Sequence, residues 1–298
     1  MTSLYEDTKQ RQDRGDKLDH NLMTLLVQGS QDDNSNGTGL TEAEIYGNMF
    51  VVTFAGHDTS ALTFVYSIFF LAAHPEIQEW VSEEIQEVLQ GRNPSELDYN
   101  RDFHRLKRCV AVMYETLRLY TIVPTMKWTG NKAAPLIVNG ETYVIPAETV
   151  VTTSWGAVQT DPRYWGSNSL AWNPRRWIKQ SETISEKPNP GAEEFLDYKR
   201  GTFVGWSGGA RDCPGRQFSQ AEFVATMAVL FSDYRVEAVK NPGETNKMAR
   251  DRVMDVIEND TGAILLTQIM HPERVPLYFH FTVTGRVRVF SFYFPIFA

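Results

Sequence analysis

The chain has 298 residues and a mass of 34.0 kDa, enough for one large core or two domains. Hydrophobic residues make up 42% and charged residues 22%, an ordinary globular balance, and a net charge of −8 argues against a nucleic-acid partner, which would leave a basic footprint. Two cysteines far apart, Cys109 and Cys213, argue against a disulfide framework and a zinc ligand set, and the polar start MTSLYEDTKQRQDRGDKLDH carries neither a signal peptide nor a leading membrane anchor.

Residues 1 to about 28 read as a helix end or connector, with Leu22, Leu25 and Leu26 as the first apolar cluster. Gln28 to Gly39, rich in Gly, Ser, Asn and Asp, reads as a polar linker. Thr41 and Glu44 then form a capping-box pattern that opens an apolar stretch reaching Ala73, roughly 50 Å of helix if unbroken. Its uninterrupted apolar part, Ala61 to Ala73, has the length of a buried core helix rather than a membrane span. Phe50, Val52, Phe54, Leu62, Phe64, Val65, Ile68 and Phe69 make this rod apolar on several faces, so it needs cover on every side. In its middle sits AGHDTS, Ala55 to Ser60, a polar patch that a solvated kink or a satisfied core cluster would explain.

His74-Pro75 starts a second helix, running to about Gln90 with Gly91 as its cap, whose acidic side (Glu79, Glu83, Glu84, Glu87) reads as solvated surface. Arg105 to Leu119 makes a further helix, with Cys109 on its apolar side and Glu115 and Arg118 three apart on one face. Asn139-Gly140 between apolar runs predicts a β-hairpin over Leu136 to Ile145, and Ala147 to Thr153 continues in β-branched residues. Ile178 to Tyr198 is irregular and polar.

Phe203 to Phe218, FVGWSGGARDCPGRQF, is the stretch around which the rest is organised. Gly205, Gly208, Gly209 and Gly215 allow sharp bends and close approach. Phe218, Ala221, Val224, Ala225, Ala228 and Val229 follow as one helix face, with Pro214 just ahead. Cys213 thereby falls at a helix N-terminus, two residues from Arg211, where a thiolate is favoured as a nucleophile or a metal ligand. On the residues alone, a small buried hydrophobe remains the alternative.

WSGGARDCPG, Trp206 to Gly215, resembles the haem-binding signature of the cytochrome P450 monooxygenases of eukaryotic type. Trp206, Gly209, Arg211, Cys213 and Gly215 stand at that signature's fixed positions, with Trp206 replacing the pattern's phenylalanine. The resemblance implies Cys213 as the axial thiolate to the iron of haem b and Arg211 as a propionate partner. AGHDTS resembles the family's oxygen-activation motif, which implies that Gly56 leaves room for dioxygen and that Asp58 and Thr59 relay protons. Glu115 and Arg118 resemble its Glu-x-x-Arg pair, and WNPRRW, Trp172 to Trp177, resembles the segment that supplies Arg176 as third member of a buried ion-pair cluster. Val123 to Thr129 resembles a substrate-lining stretch in which Lys127 stands near a propionate-binding position. Leu265 to Phe279 resembles the family's closing hairpin, and Phe281 to Ala298 is an aromatic tail that matches nothing in it.

The implied organisation is a connector and linker over 1–40, the C-terminal part of a haem-thiolate monooxygenase domain over 41–280, and the tail over 281–298. The implied fold is mainly α with small β-sheets, the cytochrome P450 fold shortened at its N-terminus. The implied activity is insertion of one oxygen atom from dioxygen into a lipophilic organic substrate, as in secondary metabolism. An NADPH-dependent flavoprotein reductase would supply electrons at the cytosolic face of the endoplasmic reticulum, and an N-terminal anchor outside this chain would provide the only membrane contact. The alternative is a non-catalytic fragment that keeps the motifs but holds neither haem nor substrate.

Overall fold

A computed structural model of the chain describes residues 2–31, 39–124, 126–179 and 190–281. The tail beyond Phe281, most of the predicted linker and the middle of the irregular stretch after Ile178 lie outside these residues. Contacts divide the chain into two compact units, Met1–Asp58 and Thr59–Ala298.

The first unit holds α1 (Thr2–Asp13), α2 (Leu22–Gln31) and the opening half of α3 (Glu42–Ala73). Residues 1 to 28, expected as a helix end or connector, form two helices, and Gln28 to Gln31 still belong to the second, which corrects the start of the predicted linker. Tyr5, Met23, Val27 and Ile45 make a small core, with Tyr5 and Tyr46 edge to face at 5.2 Å. The capping box forms as its sequence spacing requires. Thr41 N–H donates to Glu44 Oε2 at 2.8 Å and Glu44 N–H to Thr41 Oγ1 at 3.3 Å, which satisfies two otherwise orphaned donors. Beyond the box, Phe50, Val51, Val52 and Phe54 are exposed, so this half of α3 presents apolar side chains outward.

The second unit takes the remainder of α3, where the apolar run does bury. Tyr66, Phe69, Phe70 and Leu71 enter the core, with Leu62, Phe64, Val65 and Ile68 packed against it. The unit continues through α4 (Pro75–Leu89), α5 (Tyr99–Asp102), α6 (Lys107–Leu119), α7 (Trp155–Gln159), α8 (Pro162–Trp165), α9 (Arg216–Asp233) and α10 (Asn246–Asn259). The left-handed residue that ends α4 is Gln90 (φ 50°), with Gly91 (φ 80°) following it, one position earlier than glycine preference predicts. α6 is buried along nearly its whole length and packs against α9, which also meets α4. The face of α9 in this core is Phe223, Val224, Met227, Ala228 and Phe231. That corrects the predicted face in part: Val224 and Ala228 are buried as expected, but Phe218, Ala225 and Val229 are exposed, because α9 is apolar on two sides and periodicity alone does not choose between them.

Five two-stranded antiparallel sheets complete the described residues. β1 (Met126–Trp128) pairs with β4 (Val150–Thr152), and β2 (Ala134–Val138) with β3 (Glu141–Ile145). The second pair is the predicted hairpin, with Asn139 (φ 52°) and Gly140 (φ 86°) both left-handed, as a tight primed turn demands. β5 (Ile178–Lys179) pairs with β6 (Glu194–Phe195), and β8 (Thr261–Ala263) with β9 (Thr267–Ile269). β10 (Leu277–Phe281) does not close a local hairpin with the strand before it. It pairs instead with β7 (Tyr234–Ala238), placing Phe279 opposite Val236 in the core. The architecture is mainly helical with small sheets, as the family resemblance implies.

The acidic side of α4 is not simply solvated surface. Glu84 is fully buried, and its carboxylate accepts N–H bonds from Arg108 at 2.9 Å and Cys109 at 3.3 Å, closing the first turn of α6. Arg108, equally buried, reaches Glu193 in a fork at 2.7 and 2.8 Å and lies over the Trp80 ring. Burial pushes the Glu84 carboxyl up to about 8. Cys109 packs behind it, its thiol also pushed up by burial, which fits a structural role.

Candidate active site

The Cys213 loop is anchored at its base and free at its tip. Phe203 is buried and stacks on Tyr114 at 5.2 Å with nearly parallel rings. Gly205 passes so close to it that an added Cβ would lie 2.6 Å from Phe203 Cζ and 3.3 Å from Leu117 Cβ, so no side chain fits there. The chain then doubles back. Ser207 (φ 65°) and Gly209 (φ 85°) are left-handed, Ser207 N–H donates to Val204 O at 2.8 Å, and Cys213 N–H donates to Trp206 O at 2.9 Å. α9 begins three residues after Cys213, with Gly215 at its N-cap. The result is a free, exposed thiol at the mouth of a helix, with open space above Gly208 and Gly209. Arg211 beside it is exposed, as is Phe218 two residues into α9, with 72% of its surface accessible.

Two further groups reach this loop. Lys127, on β1, donates from Nζ to Ser207 Oγ at 3.3 Å, bringing a cation to the loop's back edge. Arg216 lies over the Trp206 ring at 5.4 Å and donates to Tyr114 Oη at 3.0 Å, while Trp206 Nε1–H donates to Ser219 Oγ at 3.0 Å. These contacts hold the loop to α6 and α9.

Glu115, Arg118 and Arg176 come together behind the loop. Arg118 pairs with Glu115 through two bonds of 2.8 Å, and Arg176 Nε donates to Glu115 Oε1 at 2.8 Å. Trp177 Nε1–H and Asn173 N–H add bonds of 2.9 and 2.8 Å to the same carboxylate. The rest of the Arg118 guanidinium donates to the carbonyls of Gln159 and Ser169, both at 2.6 Å, and of Ala171. Glu115 and Arg118 are wholly buried, with every polar atom matched, which is the condition under which an ion pair survives in a core.

Gly56 and Asp58 belong to the first unit and Cys213 to the second. Asp58 Oδ1 meets His57 Nδ1 at 2.8 Å, and an added Cβ on Gly56 would touch nothing, so nothing around it there requires a glycine. Thr59 opens the second unit, and its carbonyl accepts the Thr63 hydroxyl at 2.8 Å.

Sequence reasoning passed over Tyr114, whose ring lies among Trp177, Phe195, Tyr198, Phe203 and Trp206. The available signal was the aromatic density of residues 195–206. It also passed over Arg216 and the Glu84–Arg108–Glu193 network, which no short-range pattern marks.

A haem group tests well against this site. The donor chemistry is one accessible sulfur rather than a polydentate cage, and no group of three His, Cys, Asp or Glu suited to a metal ion exists among the described residues. The glycine tip leaves room for a flat ligand, Arg211 and Lys127 supply cations, and Phe218 supplies an apolar surface.

Comparison with known proteins gives the family and the fold. The family model described as Cytochrome P450 matches residues 1–261. A cytochrome P450 monooxygenase of Arthrobotrys oligospora is 32% identical over 241 residues, covering 77% of this chain and 41% of that protein. Cytochrome P450 monooxygenase 124 of Postia placenta is 25% identical over 287 residues, covering 94% of this chain and 50% of its own length. The chain thus spans about half the length, or less, of these curated relatives. A crystal structure of a cytochrome P450 (CYP102L1) superposes with a TM-score of 0.66 over 95% of this chain and 56% of that one; at 19% identity it shows the fold alone.

Proposed function

The chain belongs to the cytochrome P450 family, and from that premise we propose that it works as a haem-thiolate monooxygenase, inserting one atom of dioxygen into a lipophilic organic substrate with Cys213 as the iron ligand. The observation that carries the reading is the accessible Cys213 thiol, presented by a glycine turn at a helix N-terminus while Cys109 is buried.

Haem b, held through the Cys213 thiolate, would supply the activation of dioxygen. The chain's own residues do the remainder. Cys213 donates its sulfur, and the Trp206 carbonyl fixes the direction of the loop by accepting the Cys213 N–H at 2.9 Å. Arg211 and Lys127 are the cations that would hold the haem propionates. Gly208 and Gly209 would keep side chains clear of the porphyrin, and Gly56 would leave space for dioxygen. Asp58 and Thr59 carry protons towards it, with His57 holding the Asp58 carboxylate at 2.8 Å. Glu115, Arg118 and Arg176 keep α6 and the segment before the loop in fixed register. Electrons come from an NADPH-dependent flavoprotein reductase, at the cytosolic face of the endoplasmic reticulum. Among the described residues no single helix is long and apolar enough to cross a membrane.

Thr59→Ala in the full-length protein tests the oxygen chemistry. Haem content should stay near that of the wild type while reducing equivalents shift from product to peroxide. Unchanged coupling of NADPH use to product would remove Thr59 from the proton route.

A further inference from the structure

Trp206 stands where the haem-loop pattern has phenylalanine. Phenylalanine would fill the same space, but an indole can also give up an electron. The indole does not sit alone. The Tyr114 ring lies 4.9 Å from Trp206 and 5.1 Å from Trp177, and Trp177 lies 5.3 Å from Trp165. Trp206 and Trp177 are therefore no more than 10 Å apart centre to centre, with one aromatic ring between them.

The charges around this row differ from ring to ring. A guanidinium lies over Trp206 (Arg216, 5.4 Å) and another over Trp165 (Arg118, 5.1 Å), each disfavouring positive charge on its ring. Trp177 instead donates its Nε1–H to the Glu115 carboxylate at 2.9 Å, the contact that best stabilises an oxidised indole. Arg118 and Arg176 share that carboxylate, and Arg118 Nε reaches the same Oε2 at 2.8 Å, but among the described residues no guanidinium lies over the Trp177 ring as one does over Trp206 and Trp165. The hydroxyl partners of Tyr114, Arg216 and Gln220, are both donors, so its proton has no base between them and the ring serves as a bridge rather than a stop. Among the three indoles, Trp177 is the one placed to hold a positive hole.

We propose that Trp177 and Trp206, bridged by Tyr114, form an internal one-electron donor to the Cys213 site, which removes oxidising equivalents that do not reach substrate and so protects the exposed thiolate. The proposal rests on the reading of Cys213 as the haem ligand. In each event one electron passes from Trp177 through Trp206 to a one-electron oxidant formed at the site from peroxide. The oxidant is reduced by one electron and Trp177 is oxidised to its radical cation. No heavy-atom bond forms or breaks, and the indole proton stays shared with Glu115. One electron from the flavoprotein reductase restores the indole.

The path can be tested with or without haem. A ruthenium polypyridyl photo-oxidant attached to Cys213 of the full chain, where Cys109 is buried from the reagent, is flashed in the presence of ruthenium hexaammine as electron acceptor. Transient absorption of a tryptophan radical should appear in the wild type. It should be lost in Trp206→Phe, decay faster in Trp177→Phe, where the hole stays on Trp206, and be unchanged in Trp172→Phe, which removes a buried indole outside the row. In the haem-loaded protein, peroxide followed by rapid freezing should give a tryptophan radical by electron paramagnetic resonance, with the same dependence on the three variants. A haem-thiolate protein that forms no tryptophan radical in either experiment overturns the proposal and leaves the monooxygenase reading standing. Failure of the wild type to show a thiolate-type haem spectrum sinks that reading instead. The labelled chain then decides the electron path alone, and a radical that persists undiminished in Trp206→Phe overturns it.

Discussion

Removing the Glu115 carboxylate is the perturbation whose consequence follows most directly from the structure. In Glu115→Ala, five hydrogen bonds of 2.8–2.9 Å disappear, from Arg118, Arg176, Trp177 and the Asn173 backbone. Arg118 cannot turn to water, because it is wholly buried and its other nitrogens are held by the carbonyls of Gln159, Ser169 and Ala171. Leaving a buried charge without its partner costs about 3–5 kcal/mol. Against a total stability of about 5–15 kcal/mol, that is a large share. At about 2–4 °C per kcal/mol, a melting temperature should fall by roughly 6–20 °C. The comparison is Glu83→Ala, which removes the half-exposed one of the two carboxylates paired with Arg108 and should cost at most about 1 kcal/mol. Urea unfolding of the full-length variants, followed by circular dichroism, reads both. A Glu115→Ala protein within 1 kcal/mol of the wild type would refute the claim that the cluster holds this core.

Other consequences are equally open to measurement. In the haem-free protein, Gly205→Ala should destabilise by about 1–3 kcal/mol through its clash with Phe203, whereas Gly208→Ala, with open space above it, should leave the urea midpoint unchanged. Glu84, whose folded pKa is raised from 4.5 to about 8, binds more protons folded than unfolded between those values, so its contribution is present below pH 4.5 and fades as pH rises through 8. Glu84→Gln should flatten that part of the urea-midpoint profile, and an unaltered slope would contradict it. Thr41→Ala should lower stability by about 1 kcal/mol through loss of the capping box, seen as a lower denaturation midpoint with the same slope.

What was legible in the sequence was local. The capping box, the Asn139-Gly140 turn, the length of α3 and the helical placing of Glu115 and Arg118 each depend on spacings of a few residues, and each is found in the structure. What was not legible depends on partners far along the chain. Glu84 reads as surface in sequence because its partner is the N-terminus of α6, more than twenty residues away. The buried face of α9 was misjudged because Phe218 and Phe223 are equally apolar, and only packing against α4 and α6 separates them. β10 finds β7 across an intervening helix, a pairing that no hairpin signal announces. The Cys213 loop divides along the same line: its glycines and cysteine are visible as a string, while the Phe203–Tyr114–Trp206 packing and the reach of Lys127 to Ser207 are not.

The central claim is that Cys213 binds haem iron through its sulfur, and the carbon monoxide difference spectrum of the reduced, full-length protein tests it most directly. The wild type and Cys109→Ala should both show the red-shifted band of a thiolate-bound carbonyl complex. Cys213→His should lose that band and, where haem is retained, show the band of an imidazole-bound complex instead. A thiolate band that survives in Cys213→His would contradict the assignment.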